Sequence, residues 1–228
     1  MSGLHNHDPN STAAQAALIL CAGKAIRWGM SEDTPKQLVV VDGEPLLNRT
    51  VRLLLAAGVQ EVVIVGHDES LILDGCGWMV PTSCRWTVET LWATRTRWKG
   101  RTCILLGDVW FSEEAIASVA TCDSSIAIFG RLAGSRLFGV RAPEIFGMSF
   151  DSAGASKLKA HAHGVIKSAE GGAGGRILDL YASLTNAGDL NSESPVFREI
   201  DDLTSDFDSP EEYRNWLEVR NQARLGMP

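Results

Sequence analysis

Residues 17–47 read ALILCAGKAIRWGMSEDTPKQLVVVDGEPLL, and this stretch decides the fold. Its first five residues, 17–21, have the length and apolarity of a strand buried on both faces of a parallel sheet. The turn after this strand contains Ala22 and Gly23, whose small side chains let a ligand lie against the backbone. The pattern therefore predicts an α/β domain with a binding turn after its first strand.

Three cations lie in or just after this turn, at Lys24, Arg27 and Lys36. Together with the N–H groups of the turn they suit the charge of a polyphosphate. The alternative is an ordinary strand, turn and helix whose basic residues are solvated. The proline-lysine pair Pro35-Lys36 and acidic residues later in the chain favour phosphate binding.

Composition excludes several classes of protein. The chain has 228 residues, 45% of them hydrophobic and 21% charged, as in globular domains with a substantial core. A net charge of −7 argues against a nucleic-acid partner. The five cysteines form no CxxC pair, which indicates a reducing compartment. With no membrane-spanning stretch and no leader-like start, we expect a cytoplasmic protein without a membrane partner.

The chain divides into a disordered tail, residues 1–15, and one domain, residues 16–228. Strand and helix signals alternate along the domain, which predicts a three-layer α/β/α architecture with a mostly parallel central sheet. The predicted strands are 17–21, 61–65, 102–106, 124–129, 136–140 and 196–200. The predicted helices are 46–57, 88–98, 112–119, 155–163, 176–184 and 209–220. A glycine-rich run at 171–175 is predicted to be a mobile loop.

Acidic residues follow two of these segments. Asp108 ends the strand at 102–106, and Asp206 and Asp208 precede the last helix. Ligands of parallel sheets bind beyond the carboxyl ends of the strands, where two carboxylates can hold Mg²⁺ together with substrate phosphates. The alternatives are an ordinary turn at Asp108 and acids that only stabilise a helix N-terminus.

Four short motifs together resemble those of the nucleotidyltransferases. The motifs are LCAGKAIRWG at 20–29, PKQL at 35–38, GEPLL at 43–47 and AGVQEVVIV at 57–65. This superfamily, which has a Rossmann-like fold, includes sugar-1-phosphate, phosphocholine and methylerythritol-phosphate transferases and the molybdenum-cofactor guanylyltransferases. The resemblance covers residues 16–128 and resumes at 196–217. Cys21 and Ala25 depart from the usual motif, but both are small.

The resemblance implies a role for individual residues. The nucleotide would be bound by Leu20, Ala22, Gly23, Lys24 and Thr90. The catalytic contacts to its phosphates would come from Arg27 and Lys36. The metal ligands would be Asp108 and Asp208, the latter in the segment DFDSPEEY; Asp201, in the segment EID, is the alternative to Asp208.

The resemblance also implies a reaction and a cofactor. The expected enzyme uses Mg²⁺ to transfer a nucleoside monophosphate from a nucleoside triphosphate to a phosphorylated small molecule, such as a sugar phosphate, an alditol phosphate or phosphocholine, and it releases pyrophosphate. Residues 130–195 would form the acceptor side. Candidate ligands for the acceptor phosphate are Arg131, Arg141, Lys157, Lys159 and Lys167, although solvated surface charges would look the same.

Two other functions stay open at this point. A nucleotide-binding regulatory protein that has lost catalysis would share the fold, but it has no need of both the cations and the acids. A glycosyltransferase that uses a finished sugar nucleotide usually carries an Asp-x-Asp motif after a central strand, whereas Val109 and Trp110 follow Asp108 here. The base, the acceptor and a homodimer are left open.

Overall fold

A computed structural model describes residues 13–23, 35–133 and 142–224 of the chain. The strands in these residues are β1 (Ala16–Leu20), β2 (Val40–Val41), β3 (Glu44–Pro45), β4 (Glu61–Val65), β5 (Gly77–Met79), β6 (Thr102–Leu106), β7 (Val109–Trp110), β8 (Ile126–Arg131), β9 (Glu144–Phe150), β10 (Phe197–Glu199) and β11 (Ser205–Asp206). The helices are α1 (Leu46–Ala56), α2 (Thr87–Ala93), α3 (Glu113–Ala120), α4 (Ser152–Glu170), α5 (Ile177–Thr185) and α6 (Pro210–Arg224).

The central sheet has seven strands in the order β10-β8-β9-β6-β1-β4-β5. β1 lies parallel to both β4 and β6, and β10 lies parallel to β8. β9 is antiparallel to β6 on one side and to β8 on the other. The predicted α/β fold with a mostly parallel sheet is confirmed, with β9 as the exception to the parallel order.

β1 is buried along its whole length because both faces of the sheet are covered. Ala17 and Ile19 belong to a core cluster that includes side chains of α1 and α3. Leu18 and Leu20 belong to the cluster on the opposite face, with side chains of α2, α4 and α5. Full burial of a leucine or isoleucine stabilises by about 1.5–3 kcal/mol, so this strand anchors both layers.

Several predicted elements occur where the sequence placed them. The strands at 61–65 and 102–106 are found with those bounds. Ser112 caps α3 as expected, since its hydroxyl accepts a hydrogen bond from the Ala115 N–H at 2.9 Å. Gly58 ends α1 with a positive φ of 89°. The helix predicted at 88–98 is shorter, because α2 ends at Ala93 and a 3₁₀ turn follows.

One strand in the second half of the chain was not predicted. The predicted strand at 136–140 lies outside the described residues, and the strand that completes the sheet, β9, was missed. β9 contains Gly147, where a Cβ atom would lie 2.6 Å from the Ile104 carbonyl oxygen. The glycine permits close strand pairing but weakens the sequence signal for a strand.

α4 is longer than the helix predicted at 155–163. It begins after Asp151, whose carboxylate accepts hydrogen bonds from the N–H groups of Ala153 and Gly154, each at 2.9 Å. It then continues to Glu170 because its buried positions recur at helical spacing, at Leu158, Ala162, Val165 and Ala169.

The tail predicted at 1–15 needs a correction at its end. Residues 1–12 lie outside the described residues, but Ala13 and Ala14 are buried. The Ala14 N–H donates to the Ala120 carbonyl oxygen at 2.7 Å, which ties the chain to the end of α3. Residues 13–15 are therefore part of the fold. Among the helices of the described ranges, none is long and apolar enough to cross a membrane.

A third, smaller apolar cluster joins the end of the chain to the sheet. It consists of Val41, Leu46, Trp110, Phe207 and Trp216. The Trp216 indole N–H donates to the Leu203 carbonyl oxygen at 2.7 Å. β11 pairs with β7 in the same region, with Asp206 opposite Val109. This cluster holds the segment that contains Asp208 beside the strand end that contains Asp108.

We expect Trp216→Ala to lower the free energy of unfolding by about 3–5 kcal/mol, because it leaves a cavity at the centre of this cluster. Chemical denaturation measures the change. Leu55→Ala is the control, since Leu55 is 50% exposed, and should cost less than about 1 kcal/mol. Equal losses for the two variants would show that the cluster does not anchor α6.

Candidate active site

The carboxyl ends of β1 and β6 are level with each other, since Leu20 pairs with Leu106. The Gly107 N–H donates to the Leu20 carbonyl oxygen at 3.0 Å just beyond the sheet. A Cβ atom on Gly107 would lie 2.3 Å from Cys21 Sγ and 3.0 Å from the Leu20 carbonyl oxygen. Only glycine fits at this position, and its close contact brings the turn before Asp108 against the turn after β1.

A cavity of about 670 Å³ opens above these two turns, and we call it the Gly23 cavity. Its lining consists of Leu20, Ala22, Gly23, Gln37, Cys84, Arg85, Trp86, Thr87, Thr90, Leu106, Asp108, Gly175 and Arg176. Among the residues that the structure describes, none has an atom within 4 Å of where a Cβ atom on Gly23 would lie, so they leave the space over this backbone open.

The structure therefore brings four predicted nucleotide-binding residues together, since Leu20, Ala22, Gly23 and Thr90 all line the Gly23 cavity. The Thr90 hydroxyl donates to the Trp86 carbonyl oxygen at 3.3 Å within α2. Two further predicted residues, Lys24 and Arg27, lie outside the described residues.

Lys36 lies between two of the predicted acids. Its Nζ atom is 2.7 Å from Asp108 Oδ2 and 3.1 Å from Asp208 Oδ1, and its side chain is only 12% exposed. The ammonium also donates to the Phe207 carbonyl oxygen at 3.5 Å. Burial alone would lower the pKa of Lys36, but the ion pairs with Asp108 and Asp208 outweigh it and raise that pKa. Lys36 is therefore charged at neutral pH.

Asp208 and its alternative, Asp201, lie in different surroundings. Asp208 shares the Lys36 ammonium with Asp108 and is held at the start of α6, where its N–H donates to Glu212 Oε2 at 2.7 Å. Asp201 follows β10 and does not line the Gly23 cavity. The geometry thus favours Asp208 as the partner of Asp108.

The surroundings of Lys36 are strongly acidic. Asp206 is buried close to the carboxylates of Glu144, Asp108 and Asp208, and burial followed by these like charges raises its pKa to about 8. The described residues contain no group of three or more His, Cys, Asp or Glu side chains that could enclose a metal ion. From these residues alone, a metal ion bound at this place would need a ligand group in addition to the protein carboxylates.

A second cavity of about 540 Å³ adjoins the first, and we call it the Glu144 cavity. Its lining consists of Thr87, Leu106, Ala142, Pro143, Glu144, Ile145, Arg176, Ile177, Leu178, Asp206, Asp208 and Glu212. Three of these residues, Thr87, Leu106 and Arg176, also line the Gly23 cavity. The two cavities are thus adjacent halves of one cleft along the sheet edge.

Arg131 has a structural role and was wrongly predicted as a candidate ligand for the acceptor phosphate. Its side chain is 0% exposed and its Nη1 atom donates to Glu144 Oε2 at 2.9 Å. Its Nη2 atom donates to the carbonyl oxygens of Asp202 and Thr204. Arg131 therefore fixes the Glu144 carboxylate and the segment before β11. Lys157, Lys159 and Lys167 lie on α4 and line neither cavity, and Arg141 lies outside the described residues.

Three residues that line the two cavities were not predicted from the sequence, namely Glu144, Trp86 and Arg176. Glu144 lies at the start of the missed strand β9, and no local pattern marks it. The sequence does contain a signal for Arg176, because a glycine-rich run followed directly by a cation is typical of a ligand-binding loop.

An open parallel sheet with a cleft at the carboxyl ends of its strands is typical of nucleotide-binding α/β proteins. Residues 17–125 match the family model of the MobA-like NTP transferase domain. Residues 17–125 are thus similar to the nucleotidyltransferases, as their motifs indicated. The family match covers β1, Lys36, Thr90 and Asp108 and ends before β8.

Several solved structures share the fold, two of those given below being nucleotidyltransferases by their descriptions. The CTP:phosphocholine cytidylyltransferase of Streptococcus pneumoniae matches with a TM-score of 0.63 at 15% identity, over 90% of this chain and 99% of that one. The inositol-1-phosphate CTP transferase of T. maritima matches with a TM-score of 0.63 at 15% identity, over 91% and 97%. Rv0371c from Mycobacterium tuberculosis H37Rv matches with a TM-score of 0.58 at 20% identity, over 90% and 99%. No curated protein sequence matches the chain significantly.

We expect Gly107→Ala to destabilise the protein by about 1–3 kcal/mol, because the new methyl group collides with Cys21 Sγ and the Leu20 carbonyl. Thermal and chemical unfolding measure the change. The double variant Cys21→Ala, Gly107→Ala should recover part of the loss, because it removes the nearest atom. Gly23→Ala is the matched control and should leave stability within about 0.5 kcal/mol. A Gly107→Ala protein as stable as the wild type would contradict the close contact of the two turns.

Proposed function

We propose that this chain is a Mg²⁺-dependent nucleotidyltransferase, which transfers a nucleoside monophosphate from a nucleoside triphosphate to a phosphorylated small molecule and releases pyrophosphate. The observation that carries the proposal is the position of the Lys36 ammonium between Asp108 and Asp208, at the edge of a cavity of nucleotide size. The MobA-like NTP transferase match supports it.

The carboxylates present fit Mg²⁺. This ion is usually held by one or two carboxylates and completes its coordination with water and substrate phosphates. Asp108 and Asp208 supply two carboxylates at one place, since both lie within 3.1 Å of the Lys36 ammonium. When bound there, Mg²⁺ would neutralise phosphate charge and polarise a phosphoryl oxygen.

The residues of the Gly23 cavity would bind and orient the donor. The backbone at Ala22 and Gly23 is open to the phosphates, and Thr90 and Trp86 lie on the side of α2. Lys36, which stays protonated, would contact the phosphate oxygens and stabilise their charge as the reaction proceeds. Arg27, predicted from the sequence, would add a second cation.

The acceptor would approach from the Glu144 cavity. An oxygen of its phosphate attacks the α-phosphorus in line, the bond from that phosphorus to the bridging oxygen breaks, and pyrophosphate leaves with the bond electrons. This reaction depends on positioning and charge stabilisation, so no covalent intermediate with a protein side chain is needed.

The proposal also assigns the enzyme to the cytoplasm. Its five cysteines are all free thiols, as is usual in a reducing compartment. Whether the chain forms a homodimer stays open.

We expect pyrophosphate release with Mg²⁺ for at least one pairing of the four nucleoside triphosphates with sugar phosphates, alditol phosphates, inositol-1-phosphate or phosphocholine. Lys36→Ala, Asp108→Ala and Asp108→Asn should each lower turnover at least about 100-fold. The first removes a cation that would stabilise the charge of the phosphoryl group, and the other two remove a carboxylate that would hold Mg²⁺. Chelation by EDTA should abolish turnover and added Mg²⁺ should restore it.

The controls are Lys167→Ala and Asp74→Ala, which change the same charges at exposed positions outside both cavities. Circular dichroism and thermal unfolding establish that each variant is folded. Full activity of Asp108→Ala would refute its assignment as a metal ligand. A complete lack of activity for every pairing would refute nucleotidyl transfer.

Nucleotide binding can be tested without turnover through Cys84. This thiol lines the Gly23 cavity, with its Sγ atom 3.3 Å from His67 Nε2. A nucleotide in the cavity should shield Cys84 from iodoacetamide, slowing its alkylation about tenfold at ten times the Kd. Peptide mass spectrometry measures the rate at each cysteine.

Cys76 and Cys122 are the internal controls, because both are partly exposed and neither lines the cavity. Their alkylation rates should not change with nucleotide. Unchanged labelling of Cys84 with all four nucleoside triphosphates would contradict binding in this cavity. Protection without any turnover would instead favour a nucleotide-binding protein that has lost catalysis.

A further inference from the structure

The glycine-rich run at 171–175 ends at the boundary between the two cavities. Arg176 follows it directly and lines both the Gly23 cavity and the Glu144 cavity. The two other residues shared by the cavities are Thr87 and Leu106, which carry no charge. Arg176 is thus the charged residue at the passage from one cavity to the other.

The backbone before Arg176 is fixed against α2. Gly175 has a φ of +105°, and a Cβ atom there would lie 2.5 Å from Cγ of Trp86. Its carbonyl oxygen accepts a hydrogen bond from the Val88 N–H at 3.1 Å. Glycine is required both for this backbone conformation and for the contact with the indole ring. The loop predicted to be mobile therefore ends in a fixed position.

The side chain of Arg176 is free to reach a ligand at low cost. It is 72% exposed and its Nη2 atom lies 3.3 Å from Asp179 Oδ1. An exposed ion pair of this kind contributes little to stability. Asp179 also accepts a hydrogen bond from the Arg176 backbone N–H at 2.8 Å, which caps α5 independently of the guanidinium. The guanidinium can therefore turn into the passage while the helix cap stays in place.

The charges that line the Glu144 cavity make Arg176 the residue that favours an anion there. The described lining residues include four acids, namely Glu144, Asp206, Asp208 and Glu212. Arg176 is the one cation among those described residues. A phosphate that enters this acidic space therefore gains most by placing itself against Arg176, whose planar guanidinium can donate two parallel hydrogen bonds to it.

We propose that Arg176 binds the phosphate of the acceptor, a phosphomonoester, at the passage between the Glu144 cavity and the Gly23 cavity. The inference rests on the proposed function, which requires an acceptor phosphate oxygen to reach the α-phosphate of a nucleotide in the Gly23 cavity. Contact with a residue that lines both cavities places the attacking group at the point where they meet.

The test compares Arg176→Ala and Arg176→Lys with Arg95→Ala, which removes the same charge at an exposed position outside both cavities. With an active pairing of nucleotide and acceptor, Arg176→Ala should raise the KM for the acceptor at least about tenfold, because a charge-assisted hydrogen bond is lost. The KM for the nucleotide should change less than about twofold. Arg176→Lys should be intermediate and Arg95→Ala should match the wild type.

An unchanged acceptor KM in Arg176→Ala would overturn the inference, as would an effect on the nucleotide KM alone. If no pairing is active, the proposed function fails, and titration calorimetry with inorganic phosphate then decides the role of Arg176. Saturable phosphate binding that is lost in Arg176→Ala and kept in Arg95→Ala would support it. Equal binding by the two variants, or no binding by the wild type, would overturn it.

Discussion

The pairing of β1 with both β4 and β6 is the interaction on which the rest of the structure depends. β1 is buried on both faces, so it joins the two core clusters and carries the helices on each side. Its parallel register with β6 makes the strand ends level, which places the turn at Ala22 and Gly23 directly beside Gly107 and Asp108. The geometry of the site depends on this register, because a shift of one residue would move the backbone at Ala22 and Gly23 away from Asp108.

The second half of the site is supplied from the far end of the chain. Asp208 reaches Lys36 because Phe207 and Trp216 are buried in the third cluster and β11 pairs with β7. Apolar packing thus holds a set of like charges together that would otherwise repel. The Lys36 ammonium offsets that repulsion, because it lies between the two acids.

The sequence predicted the first half of the chain well because local signals and packing agree there. The strand at 61–65 is β-branched and wholly apolar after its first residue, and Gly58 ends the helix before it. Lys36, Asp108 and Asp208 were named from the family resemblance, and the structure shows what the motifs do not, that one ammonium joins both acids. In the second half the signals are non-local. The burial of Arg131 depends on Glu144 and on carbonyl groups more than 70 residues away, and the position of Arg176 depends on the ring of Trp86.

The antiparallel direction of β9 has a consequence for how such a protein can diversify. A strand that runs against its neighbours begins where they end, so β9 delivers its first residue, Glu144, to the same edge as Asp108. The wall of the Glu144 cavity therefore includes the N-terminal end of one strand, whereas the wall of the Gly23 cavity includes the C-terminal ends of others. Substitutions at the entry of β9 can alter what one cavity accepts while the register of β1 and β6 stays untouched. The lining of one cavity can thus change while the strand register that forms the other is kept.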